Sequence, residues 1–198
     1  MLYNILRIIV SLLSKLLFRL KIKGRENIPR TGGVLICSNH LSNLDPVIIG
    51  AAVPRSLHYM AKWGLFRNPV FGRLITILHA FPIHQRGFCH QAFNKIQNLL
   101  ESGKAVVLYP EGTRSKDGRL GPAKAGVGMI ISKTKRVCVV PARIIGTDRA
   151  LPVGGLFIRP YPIEIHFGKP LYFETPDPPS KERYMEIAQT IMTRIEKL

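Results

Sequence analysis

The apolar run at residues 33–37, Gly-Val-Leu-Ile-Cys, constrains the fold more than any other segment. A run this short and this apolar is typical of a strand buried on both faces of a sheet. After a short turn, a second apolar segment begins at Pro46 and continues to about residue 53. Proline is favoured in the first turn of a helix, and Asp45 just before it is a suitable N-cap. The segment therefore predicts a strand, a short turn and a helix.

The same alternation continues along the chain and predicts the fold class. Further strands are predicted at residues 57–61, 81–83, 105–109, 137–140 and 163–167, and helices at 69–78, 88–102, 122–133 and from 180 to the C-terminus. Strands that alternate with helices favour an α/β fold with a largely parallel central sheet flanked by helices. A length of 198 residues suits one such domain. We expect it to span residues 24–198, after an N-terminal segment of residues 1–23.

The N-terminal segment has the pattern of a basic amphipathic helix. Its polar residues fall within an arc of roughly 140° on a helical wheel: Asn4, Arg7, Ser11, Ser14, Lys15 and Arg19. We expect this helix to lie in a membrane interface, with Arg7, Lys15 and Arg19 at anionic headgroups. The alternative is a helix that covers the core of the domain. A transmembrane span is disfavoured because three cations would have to cross or snorkel.

The charge balance predicts a polyanionic partner. Lys and Arg total 29 against 12 acidic residues, which gives a formal net charge of +17. Such a charge suits nucleic acid, an anionic membrane surface or a phosphate-bearing substrate, and it does not choose among them. The three cysteines, Cys37, Cys89 and Cys138, lie in or near apolar stretches, which suits a reducing compartment without disulfides. Their spacing predicts no metal site.

The turn after the first strand contains a candidate base and a candidate carboxylate partner, His40 and Asp45. A turn can fold the two side chains together, so that the carboxylate accepts a hydrogen bond from one imidazole nitrogen. The other nitrogen would then be free to act as a general base. The alternative is that Asp45 only caps the helix and that His40 is a structural histidine at a strand end.

A second polar segment, residues 109–115, directly follows the predicted strand at 105–109. Ligands collect at the carboxyl ends of strands in α/β sheets. Arg114 can hold a phosphate with two parallel hydrogen bonds, Thr113 can add one, and Gly112 lets the backbone approach closely. Glu111 is poorly suited to contact phosphate and would orient the arginine or shape the loop. An ordinary polar turn is the alternative.

Together these motifs resemble those of the lysophosphatidate acyltransferase family, the 1-acyl-glycerol-3-phosphate acyltransferases. The resemblance rests on the order and separation of the His40–Asp45 segment, the segment at 109–114 and the Val-Val-Pro at 139–141. It extends over residues 24–171, with further agreement at 61–66, 71–72, 81–83, 86 and 167–171. It implies the glycerolipid acyltransferase fold.

The resemblance also implies a role for each site residue. His40 would remove the proton from the free glycerol hydroxyl, and Asp45 would hold and polarise it. The hydroxyl would attack an acyl thioester directly, with no covalent acyl-enzyme and no cofactor. Glu111 and Arg114 would lie at the acceptor phosphate, with Gly112 and Thr113 shaping the loop, and Arg86 and Lys62 would match further basic positions of the substrate site.

We therefore expect an enzyme that makes phosphatidate from lysophosphatidate and a thioester of acyl carrier protein or coenzyme A. It would work as a peripheral or monotopic protein at the cytoplasmic face of the inner membrane. One alternative is acylation of another lyso-lipid, such as a lyso-ornithine lipid, because His84-Gln85 before Arg86 and Gly64 depart from the family pattern. The other alternative is a non-catalytic basic module that binds a membrane or nucleic acid. Nucleic acid is disfavoured, since the cations are not interleaved with aromatics in a recognisable motif.

Overall fold

A computed structural model of the chain describes residues 2–83, 90–174 and 178–198. Its helices are α1 (Leu2–Phe18), α2 (Asp45–Ala52), α3 (Pro69–Ile77), α4 (His90–Glu101), α5 (Ala125–Lys133), α6 (Thr147–Ala150) and α7 (Lys181–Glu196). Its strands are β1 (Lys21–Lys23), β2 (Val34–Ser38), β3 (Leu57–Lys62), β4 (Ala80–Ile83), β5 (Ala105–Leu108), β6 (Cys138–Ile145) and β7 (Glu164–Phe167). Short 3₁₀ turns occur at Arg25–Asn27 and Trp63–Phe66.

The strands that the structure describes form one sheet in the order β1-β7-β6-β2-β5-β3-β4. The pairs β6-β2, β2-β5, β5-β3 and β3-β4 are all parallel. The direction reverses between β6 and β7, which are antiparallel, and β1 lies parallel to β7 at the edge. The predicted α/β fold with a largely parallel sheet is therefore confirmed.

Strand β2 lies in the middle of the sheet and is buried on both faces. Val34 and Ile36 pack into one apolar cluster, whereas Leu35 and Cys37 pack into a second cluster on the opposite face. Helix α2 and the C-terminal end of α1 cover the first cluster, and α4, α5 and α7 cover the second. Burial on both faces explains why β2 reads as a continuous apolar run rather than as an alternating strand.

Two strands differ from the prediction. Strand β6 continues five residues beyond the predicted end at 140, to Ile145, because its C-terminal half pairs with β2 and then with β7. Strand β1 was not predicted, since Lys21 and Lys23 interrupt its short sequence. It nevertheless pairs with β7, so the predicted boundary at 23/24 falls immediately after a strand of the sheet. The predicted start of α4 at residue 88 lies outside the described residues.

Helix α1 packs the side that contains Arg7 and Ser14 against the domain. Tyr3, Ser14 and Phe18 are buried there, and the Arg7 guanidinium donates a hydrogen bond to the Val53 carbonyl oxygen at 2.7 Å. Arg7 therefore lies on the domain side of the helix, rather than among the outward-facing cations expected from the sequence. The headgroup contacts stay a prediction, carried by the exposed Lys15 and Arg19.

The opposite side of α1 is an exposed apolar face, made by Leu2, Ile5, Ile8, Ile9, Leu12, Leu13, Leu16 and Leu17. A helix that only covered the core of its own domain would bury these residues. The exposed face therefore remains available to a partner. In the part of the chain that the structure describes, no helix has both the length and the hydropathy needed to cross a bilayer.

Candidate active site

The candidate site lies at one edge of the sheet, where three neighbouring parallel strands end. His40 follows β2, Glu111 follows β5 on one side of it, and Thr147 follows β6 on the other side. Because adjacent parallel strands have their carboxyl ends at the same edge, the three loops meet. The topology thus gathers residues separated by more than a hundred positions in sequence.

His40 and Asp45 form the hydrogen-bonded pair predicted from the sequence. The turn after β2 brings the His40 Nδ1 to 2.7 Å from the Asp45 Oδ2. The Asp45 side chain is fully buried, whereas the His40 side chain is 18% exposed. Since Nδ1 is directed to Asp45, Nε2 is the ring nitrogen that remains for a substrate proton.

Asp45 is fixed by further donors, and its predicted role as an N-cap is wrong. It is the first residue of α2, Leu44 occupies the N-cap position, and the helix has no side-chain cap. Oδ2 instead accepts the backbone N–H groups of Leu41 at 2.6 Å and Ser42 at 2.8 Å, and Oδ1 accepts the Thr147 hydroxyl at 2.6 Å. The carboxylate turns back toward the loop that carries His40, because Leu41 and Ser42 precede it in the chain.

The His40 ring also stacks on Tyr109, with ring centroids 3.9 Å apart and planes inclined by 12°. The Tyr109 hydroxyl is buried and has no hydrogen-bond partner among the described residues. Burial raises the pKa of Tyr109 well above its ordinary value of 10, and the nearby Asp45 carboxylate adds to that increase. Tyr109 therefore acts on His40 as a neutral ring that limits rotation of the imidazole.

Glu111 joins the two sequence motifs through the backbone. One carboxylate oxygen accepts the His40 N–H at 3.0 Å and the other accepts the Gly121 N–H at 2.8 Å. Burial raises the pKa of Glu111 despite these two hydrogen bonds, which act in the opposite direction. Of the roles considered for Glu111, shaping the loop fits this geometry, since both oxygens already serve backbone donors.

The remaining residues of the second motif line the same edge. Gly112 has a φ of +67°, a left-handed conformation that glycine adopts without strain. Thr113 is exposed and Arg114 is half-buried. The next residue, Ser115, donates its N–H to the His40 carbonyl oxygen at 2.7 Å, which fixes the position of the Arg114 backbone relative to His40.

The remaining basic residues predicted for the substrate site are Lys62 and Arg86. Lys62 is exposed at the end of β3, which lies two strands from β2 in the sheet. Arg86 lies outside the described residues. The structure thus brings His40, Asp45 and residues 111–114 together, and it places Lys62 further along the same edge.

Sequence reasoning missed two residues near the site, Thr147 and Lys124. Thr147 follows the end of β6, as His40 follows the end of β2, but the predicted strand stopped at residue 140 and so did not indicate it. Lys124 lies against Gly112, where a Cβ on the glycine would come within 3.1 Å of the lysine Nζ. A lysine in so basic a chain gives no sequence signal of its own.

The described cysteines do not supply a nucleophile. Cys37 and Cys138 are free and buried, and burial raises the pKa of both thiols. A buried thiol that holds its proton is inert. Cys89 lies outside the described residues. Within the described ranges, no three His, Cys, Asp or Glu side chains are grouped so that they could hold a metal ion.

Comparison with known proteins identifies relatives over most of the chain. It is 32% identical over 178 residues to a chloroplast 1-acyl-sn-glycerol-3-phosphate acyltransferase of Brassica napus, covering 88% of this chain and 51% of the relative. It is 28% identical to the 1-acyl-sn-glycerol-3-phosphate acyltransferase of Bacillus subtilis, covering 98% of this chain and 94% of that protein. The chain thus spans about half the length of the plant relative and nearly all of the bacterial one.

A solved structure has the same fold. The crystal structure of the 1-acyl-sn-glycerophosphate acyltransferase PlsC from Thermotoga maritima superposes with a TM-score of 0.75 at 25% identity, covering 99% of this chain and 79% of that chain. The family model described as Acyltransferase matches residues 19–145, which include His40, Asp45 and the loop at 111–114. On this evidence the chain belongs to the acyltransferase family.

Proposed function

We propose that the protein transfers a fatty acyl group from an acyl thioester to the free sn-2 hydroxyl of 1-acyl-glycerol-3-phosphate, making phosphatidate. The observation that carries the proposal is the buried pairing of His40 Nδ1 with Asp45 Oδ2, tied through the backbone to the loop that contains Arg114. The names of the relatives, all 1-acyl-glycerol-3-phosphate acyltransferases, support the same reaction.

His40 acts as the general base in this reaction. Its Nε2 takes the proton from the acceptor hydroxyl as the oxygen attacks the thioester carbonyl carbon. Asp45 holds the Nδ1–H tautomer and stabilises the imidazolium that forms. Collapse of the tetrahedral intermediate breaks the C–S bond, and the proton on His40 passes to the departing thiolate. One ester forms, one thiol is released and the base is restored.

The acceptor phosphate is held by the loop after β5. Arg114 offers a planar pair of donors, Thr113 adds a hydroxyl, and the ammonium group of Lys124 beside Gly112 contributes a further positive charge. The hydrogen bond from the Ser115 N–H to the His40 carbonyl oxygen keeps these phosphate-binding residues at a fixed distance from the base. Lys62, further along the same edge, and Arg86 are the other basic residues that we propose for the substrate site.

The proposed reaction takes place at the cytoplasmic face of the inner membrane. A net charge of +17 attracts the chain to anionic lipid and to an acidic acyl carrier protein or coenzyme A donor. The exposed apolar face of α1 lies in the interface, with Lys15 and Arg19 near the headgroups. The protein is peripheral or monotopic in this arrangement.

Substitution of the base tests the mechanism. His40→Ala is expected to lower kcat by about 10²- to 10⁴-fold, the range typical of a lost general base. Asn43→Ala is the matched control, because Asn43 is exposed in the same loop. Purified proteins would be assayed with lysophosphatidate and a labelled acyl donor, and their folding checked by circular dichroism. Equal activity of a folded His40→Ala protein and the wild type would reject the mechanism.

A panel of acceptors and donors tests the substrate. Lysophosphatidate and a lyso-ornithine lipid would each be offered with acyl carrier protein and coenzyme A thioesters. We expect transfer to lysophosphatidate that depends on His40. Faster transfer to the lyso-ornithine lipid would leave the proposed role of His40 in place and would show that the acceptor is this lipid rather than lysophosphatidate. A lack of transfer in every combination would leave a non-catalytic basic module as the function.

A further inference from the structure

The loop between α6 and β7 presents an apolar tip to solvent. Leu156 is 88% exposed, Phe157 is 80% exposed and Ile158 is 55% exposed, and the three are consecutive in sequence. Isolated exposed apolar side chains are common on proteins, but three large ones in succession form a patch that favours a partner. This tip belongs neither to the candidate active site nor to the exposed face of α1.

Hydrogen bonds fix the shape of this loop. The Arg159 N–H donates to the Ala150 carbonyl oxygen at 2.8 Å and closes the base of the loop. The Gly155 N–H donates to the Pro152 carbonyl oxygen at 2.9 Å, and Gly154 adopts a φ of +83° in the turn. The apolar tip is therefore held outward by a closed base and an internal turn.

The base of the loop contacts both α1 and the catalytic turn. The Ile163 N–H donates to the Phe18 carbonyl oxygen at 2.9 Å, at the C-terminal end of α1. On the other side, the Ser42 hydroxyl donates to the Leu151 carbonyl oxygen at 2.7 Å. Ser42 also donates its N–H to Asp45, so one residue connects the loop to the catalytic carboxylate.

Cations surround the base of the loop. Arg149 and Arg159 are exposed at its two ends, and Arg19 and Lys21 are exposed where α1 leads into β1 beside Ile163. Arg149 lies 3.6 Å from the Asp148 carboxylate and Lys21 lies 3.5 Å from that of Glu164, so part of this charge is offset. In a bilayer, acyl chains lie beneath anionic headgroups. A loop with an apolar tip and cations around its base matches this arrangement, since the tip can reach the acyl chains while the cations stay at the headgroups.

We propose that residues 156–158 insert into the acyl-chain region of an anionic membrane, and that this contact holds the catalytic edge at the bilayer surface. A second copy of the chain is the less suitable occupant. Three side chains provide much less than the roughly 800 Å² per partner of a stable interface, and two copies of charge +17 would repel each other. The contact adds a second point of attachment to that proposed for α1.

A fluorescent probe at the tip tests insertion directly. The chain has a single tryptophan, Trp63, so Phe157→Trp in a Trp63→Phe background reports on the loop alone. With vesicles of phosphatidylglycerol and phosphatidylethanolamine, we expect a blue shift of the emission and quenching by lipids brominated on the acyl chains. An emission unchanged by vesicles that bind the protein would overturn the proposal.

Substitution at the tip tests its contribution to binding. Leu156→Ser/Phe157→Ser is expected to weaken co-sedimentation with these vesicles about tenfold or more. Tyr172→Ser is the control, because Tyr172 is 70% exposed outside the loop. Unchanged vesicle binding would overturn the proposal, as would a wild-type dimer that the double substitution dissociates. Since sedimentation needs no catalysis, this result stands apart from the proposed reaction.

Discussion

At the scale of single residues, Asp45 determines the arrangement of the proposed catalytic pair. Its carboxylate accepts hydrogen bonds from His40, two backbone N–H groups and the Thr147 hydroxyl, and it has no exposed surface. A buried carboxylate is costly unless its oxygens are satisfied by donors. These donors come from the loop after β2 and from the start of α6, so the orientation of His40 depends on both segments.

Thr147 is expected to act as a positioning residue for His40. Thr147→Val keeps the side-chain shape and removes the hydroxyl that donates to Asp45, and a hydrogen bond to a charged group contributes about 1.5–3 kcal/mol. We expect kcat to fall about tenfold to a hundredfold, with KM for the acceptor unchanged because the Thr147 side chain is fully buried. Thr147→Ser should restore most of the rate. Steady-state kinetics of both variants would check this, and an equal loss in the Ser and Val proteins would contradict it.

Glu111 is expected to make stability depend on pH. Because burial raises its pKa above the ordinary value of 4.5, the folded protein binds a proton at a pH where the unfolded chain has released it. As pH rises from about 4.5 through the raised pKa, Glu111 therefore lowers the free energy of unfolding. In the Glu111→Gln variant the side chain does not titrate. Any contacts that the substitution removes or adds therefore change the free energy of unfolding by an amount that does not depend on pH.

The check is chemical denaturation of the wild type and Glu111→Gln over a series of pH values. The wild-type free energy of unfolding, minus that of the variant, should fall as pH rises through this window and should be level above it. A difference that stays constant from pH 4 upward would show that the pKa of Glu111 is not raised.

At the scale of elements, the sequence predicts those that are buried on both faces or clearly amphipathic. The apolar run of β2 and the start of α2, within one residue of Pro46, were predicted correctly, and with them the turn that joins His40 to Asp45. Strand β1 was missed because pairing with β7, and not its own basic sequence, makes it a strand. The hydrogen bond from Thr147 to Asp45 was not predicted, since the two residues lie 102 positions apart in the sequence.

The crossing of α5 and α7 is expected to require glycine at position 128. A Cβ on Gly128 would lie 2.0 Å from the Tyr184 carbonyl oxygen, so the two helices would have to separate. Gly128→Ala is expected to lower the free energy of unfolding by about 1–3 kcal/mol, as overpacking does elsewhere. Denaturation in urea measures the change.

Gly126, on the same helix, is the matched control. A Cβ there would meet only the Phe93 ring, at 3.4 Å, and alanine favours a helix over glycine by up to about 1 kcal/mol. Gly126→Ala should therefore leave the protein equally or more stable. Equal stability losses in the two variants would show that helix contact at Gly128 is not the cause.

At the scale of the whole molecule, two features that suit a membrane surface, the apolar face of α1 and the apolar tip at 156–158, are connected by hydrogen bonds at the base of the loop between α6 and β7. Helix α1 leads into β1 beside the base of the loop at 151–163, and Ser42, in the turn after His40, donates a hydrogen bond to that base. The net charge could be read from composition, whereas the outward direction of the α1 leucines depends on which side of the helix the domain covers. The domain covers the side with Arg7 and Ser14, so the apolar side is left exposed.

The apolar face of α1 is expected to bind anionic vesicles. Deleting residues 1–20 would also remove Tyr3 and Phe18 from the core, so substitution of the outer face is the cleaner test. Leu12 is 61% exposed and Leu16 is 78% exposed, and Leu12→Ser/Leu16→Ser should weaken vesicle binding about tenfold or more while the fold stays intact. Leu12→Met/Leu16→Met should bind like the wild type, because the face remains apolar. Vesicle binding by the wild type should also weaken as salt is raised from about 0.05 to about 0.5 M, because salt screens the attraction of a +17 chain to anionic lipid. Unchanged co-sedimentation of the serine variant would show that α1 does not contact the lipid.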